Sequence, residues 1–278
     1  MAARETYERW VRSAHTGAHS RRTAEKNAAF FLPHLKPGMS LLDAGCGPGS
    51  ITIGLARAVA PGHVTGVDVS SDSLKTARKL AEEQACANVS FDQHHLRSLP
   101  YEDGSFDAVF VHAVLQHVDE PVRILRELFR VMRPGGVIGL ADADFDGSLM
   151  WPNDPLLERS TAITSEIRQQ GDTRIGRRLR GLLAEAGFAD AVGLAQAGVE
   201  GDANITALNG AFWANYYQQE PFIAYAVALE LTTREEMAAI SEAWRHWGND
   251  PGAFAARFWC QAVAFKPAPA GAPLRPPA

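Results

Sequence analysis

The residues with the most chemical meaning lie in one short stretch, Asp43-Ala44-Gly45-Cys46-Gly47-Pro48-Gly49-Ser50, between an apolar run and a segment of helical spacing. Glycines at alternate positions let a backbone turn tightly and approach a ligand without Cβ clashes, while the following helix offers free N–H groups. A second apolar run, Val64-Thr65-Gly66-Val67, ends in Asp68, 25 positions after Asp43. A carboxylate at that place accepts hydrogen bonds from both hydroxyls of a ribose, and either a dinucleotide or an adenosyl ligand would use it.

These residues need a scaffold that brings strand ends together. From Ser40 to about Leu140 short apolar runs alternate with helical segments, the pattern of βα units around a largely parallel, doubly wound sheet. Strands are expected at Ser40–Ala44, His63–Asp68, Val89–Phe91, Phe106–His112 and Val137–Ala141. Helices are expected at Ile51–Ala60, Ser71–Ala85 and Pro121–Met132, with Pro134-Gly135-Gly136 breaking the last. The pattern then changes to a loop rich in Asp, Gly and Pro (Asp142–Pro155), helices around Leu156–Gln170 and Arg174–Ala186, and strands at Val192–Val199 and Phe258–Phe265. Asn204–Gly252 is helical in spacing and dense in aromatic residues, and reads as a lid inserted between those strands. Arg4–Phe31 also reads helical. The expected organisation is a helical cap (1–39), an α/β core (40–203 and 253–267), a helical lid (204–252) and a disordered tail (268–278) rich in Pro, Ala and Gly.

The chain has 278 residues, 46% hydrophobic, with a net charge of -5, so no broad positive surface is expected and nucleic acid is not an expected partner. No membrane partner is expected either, because there is no leader-like apolar stretch and no window of roughly 18 uncharged apolar residues. Cys46, Cys86 and Cys260 are odd in number and widely spaced, which suits neither a disulfide framework nor a paired-thiolate metal site. The expected setting is a reducing cytoplasm.

Asp43 before the glycines and the GCGPG spelling resemble the class I S-adenosylmethionine-dependent methyltransferases, in particular their ubiquinone/menaquinone-biosynthesis-like subgroup. The resemblance runs from about Ser20 to Gly187 through Leu99-Pro100-Tyr101-Glu102-Asp103-Gly104-Ser105-Phe106-Asp107, His112-Ala113-Val114-Leu115-Gln116-His117-Val118 and Arg130-Val131-Met132-Arg133-Pro134-Gly135-Gly136. It implies a mostly parallel seven-stranded sheet, S-adenosylmethionine as cofactor and a small organic acceptor methylated on O, N or C. It also implies that Gly45, Cys46, Gly47 and Gly49 underlie the methionine and ribose of the cofactor, with Asp68 and Val69 at the ribose. The family's usual aspartate for the adenine amino group is replaced by His95, whose neutral nitrogen can accept the same bond, beside Leu96. Arg22, in a stretch that also resembles the subgroup, either pairs with the cofactor carboxylate or sits on a helix covering the pocket.

Methyl transfer is an in-line displacement, so the protein chiefly aligns the acceptor and, where needed, removes a proton. Candidate bases at the carboxyl edge of the sheet are His112, which also falls at the cofactor, His117, and the alternating Asp142, Asp144 and Asp146. The last three read as caps rather than metal ligands, and no metal is expected. Trp151, Phe212, Trp213 and Tyr216, with Tyr217 and Phe222 nearby, suit the walls of a pocket for a flat acceptor. Arg177, Arg178 and Arg180 read as a solvated helix face. Two alternatives use the same scaffold: a cyclase-like enzyme that keeps its cofactor intact, and a binding protein without turnover. A homodimer is compatible with the sequence.

Overall fold

The computed structural model describes residues 3–7, 10, 22–167 and 172–268. Much of the expected N-terminal helix, residues 168–170 of the helix expected at Leu156–Gln170, and most of the tail lie outside the described residues. The chain forms two compact units, one of residues 16–143, 175–195 and 260–278, the other of residues 1–15, 144–174 and 196–259.

In the first unit β1 (Leu41–Ala44), β2 (Val64–Asp68), β3 (Val89–Gln93) and β4 (Phe106–His112) alternate with α2 (Ser50–Val59), α3 (Ser71–Glu83) and α4 (Pro121–Val131). A short α1 (Ala24–Asn27) precedes them. Period-two alternation sorts the strand side chains onto two faces. Leu42, Val109 and Val111 join one apolar cluster with Ile124, Leu125 and Leu128 of α4, while Leu41, Ala108 and Phe110 join another with Ile51 and Leu55 of α2 and with Phe31. Helices on both faces of a parallel sheet are the doubly wound architecture.

The seven-stranded sheet has the order β3-β2-β1-β4-β5-β7-β6, with β5 at Met132–Trp151, β6 at Ala189–Glu200 and β7 at Phe254–Phe265. Adjacent pairs from β3 through β5 are parallel. Gly135 N–H donates to Lys266 O at 2.8 Å and Lys266 N–H to Gly136 O at 2.9 Å, so the start of β5 meets the end of β7 and the two run antiparallel. The order reverses between β1 and β4, and at such a switch point ligands bind beyond the strand ends.

Three expectations are corrected. Asp142–Trp151 is not loop but the second half of β5, and β7 begins four residues early, because strands paired side by side hold extended a chain whose composition alone reads as turn. Pro134-Gly135-Gly136 follows the end of α4 at Val131, within a residue of the expected helix end, and falls within β5. It forms a bulge inside it, between the pairs Phe106↔Met132 and Ala108↔Val137, with Gly135 at φ 76°. The segment Arg4–Phe31 is not one helix, since Thr23 is extended (φ -134°, ψ 157°) and α1 stops at Asn27.

The second unit carries α5 (Pro155–Ile167), α7 (Ala203–Tyr216), α8 (Glu220–Ala228) and α9 (Arg234–Asn249); α6 (Ile175–Glu185) belongs to the first unit. Its core is aromatic, with Trp244, Trp247, Phe222 and Tyr217 buried. Two polar tips are satisfied inside that core: Trp244 Nε1 donates to Ser160 Oγ at 3.1 Å and the Tyr217 hydroxyl to Ser160 O at 3.2 Å. Helices α7 and α9 cross at paired glycines, where a Cβ on Gly210 would lie 2.5 Å from Gly248 Cα.

Leu125 is fully buried between α4 and the sheet. Leu125→Ala is expected to lower unfolding stability by about 2–5 kcal/mol, measured by denaturant titration of the far-ultraviolet signal.

Candidate active site

The turn after β1 is built around what cannot be added to it. Gly45 has φ 81°, and a Cβ there would fall 2.2 Å from Val114 Cγ2; Gly49 has φ 78° and would meet Ala77 Cβ at 2.9 Å. Gly47, at φ 53°, has open space where its Cβ would be. The first three amides of the turn are already engaged: Gly45 and Cys46 donate to Val67 O, at 2.7 and 3.0 Å, and Gly47 donates to Asp68 Oδ2 at 2.9 Å. The turn thus offers a ligand surface rather than these donors.

Asp68 ends β2 with its other oxygen accepting from Ser70 N–H at 2.8 Å. Each carboxylate oxygen therefore takes one backbone N–H and keeps acceptor capacity for a hydroxyl. Val69 beside it is 58% exposed, and its carbonyl accepts from Gln93 Nε2. Asp43 lies beneath the turn, buried, accepting from Thr52 Oγ1 at 2.6 Å. Burial pushes its carboxyl up to about 7, with the Asp68 charge adding and the Thr52 bond opposing. Its role in the turn is support from below. Cys46 Sγ donates weakly to Gly47 O, and burial raises its thiol well above the ordinary range, which suits packing and not nucleophilic attack.

His112 ends β4, buried, between two donors. Arg22 Nη1 lies 3.5 Å from its Nδ1 and Asn27 Nδ2 lies 3.4 Å from its Nε2, while Asn27 Oδ1 accepts from Thr23 N–H. Burial lowers the Arg22 guanidinium to about 10, opposed by the charge of Asp142. Asp142 Oδ2 accepts from Leu115 N–H at 3.0 Å in the turn after β4, where Ala113 takes a left-handed φ of 57°. Burial raises the Asp142 carboxyl to about 7, against the backbone N–H groups of Leu115, Gln116 and Val114. That turn is what lays Val114 onto Gly45. The sequence reading assigned no role to Asn27 or Val114; for Asn27 the one available signal was its place in the same stretch as Arg22.

His117 lies exposed on that turn. His95 is exposed, and its Nδ1 accepts from Arg97 N–H at 3.1 Å, which leaves Nε2 to carry the proton. With Nδ1 engaged at the backbone, a neutral His95 ring turns Nε2–H outward. Leu96 is buried. In the second unit, Asp144 Oδ1 accepts from Gly147 N–H and Asp146 pairs with Arg174. Trp151 is 61% and Phe212 55% exposed, whereas Tyr216 is buried and Trp213 packs on the same aromatic core. The concentration of rings at Phe212–Tyr217 thus serves that unit's own core in part. Among the described residues no three acidic, His or Cys side chains converge as metal ligands, and no helix is long and apolar enough to cross a membrane.

A parallel sheet reversing at β1, with a glycine turn after β1 and an acid closing β2, defines the class of doubly wound domains that hold an adenosyl cofactor. Residues 35–187 match the family model described as a methyltransferase domain, and the chain belongs to that family. It is 34% identical over 179 residues to an uncharacterized methyltransferase of Schizosaccharomyces pombe, covering 61% of this chain and 64% of that one. It is 40% identical over 100 residues to the demethylmenaquinone methyltransferase of Lactococcus lactis, covering 36% and 40%. The [4+2]-cyclase SpnF shares the fold, with a TM-score of 0.54 and 23% identity over 90% of this chain and 85% of that one. The chain spans about half the length of the curated relatives it matches.

The residues present fit the family's cofactor, S-adenosylmethionine. The space above Gly47 admits a ligand against the backbone, and Asp68 keeps acceptors for two ribose hydroxyls.

Gly45→Ala is expected to weaken S-adenosylhomocysteine binding at least tenfold in calorimetry, since the methyl must displace Val114 and strain a positive φ. Asp43 yields a pH signature. Its folded pKa of about 7 exceeds the ordinary 3.8, so its share of stability is full at low pH and is lost as pH rises through about 7. Asp43→Asn is therefore expected to gain melting temperature relative to wild type at pH 8 and to lose that advantage at pH 4.5, in thermal scans.

Proposed function

We propose that the protein transfers the methyl group of S-adenosylmethionine to a small organic acceptor on O, N or C, releasing S-adenosylhomocysteine. The observation that carries this reading is the turn at Gly45–Gly49 closed against Val114 and tied to Asp68. In it, Gly45, Cys46, Gly47 and Gly49 floor the cofactor, Asp68 and Val69 flank its ribose, and His95 and Leu96 meet its base. Arg22 faces the carboxylate end.

The cofactor supplies an electrophilic methyl on a sulfonium. The carbon–sulfur bond breaks as the bond to the acceptor forms, and the acceptor's proton leaves to a base. His112 is the base in this reading: it ends β4 at the carboxyl edge of the sheet, and a neutral imidazole keeps one ring nitrogen that accepts a proton. His117, exposed on the adjoining turn, is the second candidate. Trp151, Phe212, Trp213 and Tyr216 are the source of acceptor contacts, the first two by virtue of their exposed rings. The net charge of -5 supports a small acceptor over nucleic acid, and three free cysteines support a reducing, cytoplasmic setting.

The experiment is incubation with methyl-labelled S-adenosylmethionine and a panel of small phenols, amines and enolisable ketones. Labelled product with S-adenosylhomocysteine is the expected result. A rearranged product with intact cofactor would make the protein a cyclase-like enzyme, tight binding without turnover would make it a binding protein, and no binding of either cofactor form would overturn the reading. With an acceptor in hand, His112→Phe is expected to lower kcat by roughly 10²–10⁴.

A further inference from the structure

In a doubly wound domain the 5′ side of a nucleoside lies over the glycine turn and the acid closing the second strand holds the ribose, so the base falls beyond that acid, toward β3. Asp68 is paired with Gln93 across the β2–β3 register, and Gln93 Nε2 donates to Val69 O at 2.9 Å. The loop leaving β3 is thereby tied to the residue that follows the ribose acid. His95 is the second residue of that loop.

An adenine offers two polar groups on its Watson–Crick edge, a 6-amino donor and the N1 acceptor. Reading the amino group takes an acceptor, and the loop supplies no carboxylate for it. From Gln93 to Pro100 there is no acidic residue, and Asp92, within β3, accepts from the Tyr101 hydroxyl at 2.8 Å. His94 stands edge-on to that same ring. His95 is exposed, and its Nδ1 lone pair is taken by Arg97 N–H, so the proton of the neutral ring sits on Nε2. What His95 presents is a donor.

We propose that His95 reads the base by donating Nε2–H to N1 of an adenine, and that the site therefore binds an adenosyl ligand and its 6-oxo, inosyl counterpart alike. This rests on the cofactor site proposed above and names how that site chooses its base. A 6-oxopurine carries a proton on N1 and an acceptor, O6, beside it on the ring edge. An exposed imidazole donor reaches O6 instead of N1 by a small turn of the side chain, whereas an acceptor placed for the amino group would face the lone pairs of O6 and reject it.

The test is calorimetry on the full chain with S-adenosylhomocysteine, its inosyl counterpart and its 1-deaza counterpart, in which N1 is replaced by C–H. Wild type is expected to bind the first two within about fivefold of each other, and the 1-deaza ligand at least about threefold more weakly, the worth of one hydrogen bond. His95→Phe is expected to erase the 1-deaza loss, which a merely structural role of the ring would leave in place. His95→Asp, which puts an acceptor where the donor was, is expected to bind the adenosyl ligand and to disfavour the inosyl one at least tenfold. A wild type that binds no S-adenosylhomocysteine overturns the cofactor site itself. A wild type that binds it but prefers it more than fivefold over the inosyl ligand, or that loses less than threefold with the 1-deaza ligand, overturns the donor role of His95 alone, and so does a 1-deaza loss that persists in His95→Phe. The wild-type comparison needs no variant and stands if a variant fails to fold.

Discussion

The site depends on one steric constraint: there is no room for a side chain between the turn after β1 and the turn after β4. Val114 occupies the space that a Cβ on Gly45 would need. Because the two strands are neighbours in the sheet, their ends are forced together, and only a residue without a side chain lets the backbone pass. Gly45 and Gly49 both take a positive φ, Gly49 where Ala77 and Phe91 rather than Val114 leave no room for a Cβ, and the Gly47 amide points at Asp68, which fixes the acid at the end of β2.

Two buried carboxylates keep this arrangement in place from beneath. Asp43 holds Thr52 in the first turns of α2, and Asp142 holds the backbone after β4, which carries Val114. A carboxylate taken out of water is costly unless its oxygens are bonded, so each marks a place where local backbone geometry is stabilised at the expense of solvation. Both titrate near neutrality for that reason. The lattice of the site is thus made of short bonds between adjacent loops, while His112 and Arg22 stand at its side.

Much of this was legible in the sequence, and for physical reasons. β4 falls at the expected Phe106–His112, and β1 and β2 lie within a residue of their expected bounds, because a central parallel strand buried on both faces is an unbroken apolar run. The glycine turn and Asp68 were legible because their residue types are dictated by space and by hydrogen bonding. The second half of β5 was not, since Asp142, Asp144 and Asp146 read as turn formers and only the neighbouring strands, distant in sequence, hold them extended. The role of Asp142 was likewise hidden, because a carboxylate capping a turn 27 residues away leaves no local trace. His95 shows a third kind of limit: its residue type permits donating or accepting, and the amide of Arg97 decides between them.

The strand order also sets a sequence of events. β7 lies between β5 and β6, although it is the last of the three in the chain. As the polypeptide emerges during synthesis, the growing sheet ends at β5, and β6 waits without its neighbour until some fifty further residues have been made. Insertion of β7 is then the event that closes the gap, so cooperativity of the whole sheet arrives late, and a nascent chain stalled before Phe254 presents the open edge of β5 and an unpaired β6 to chaperones at once.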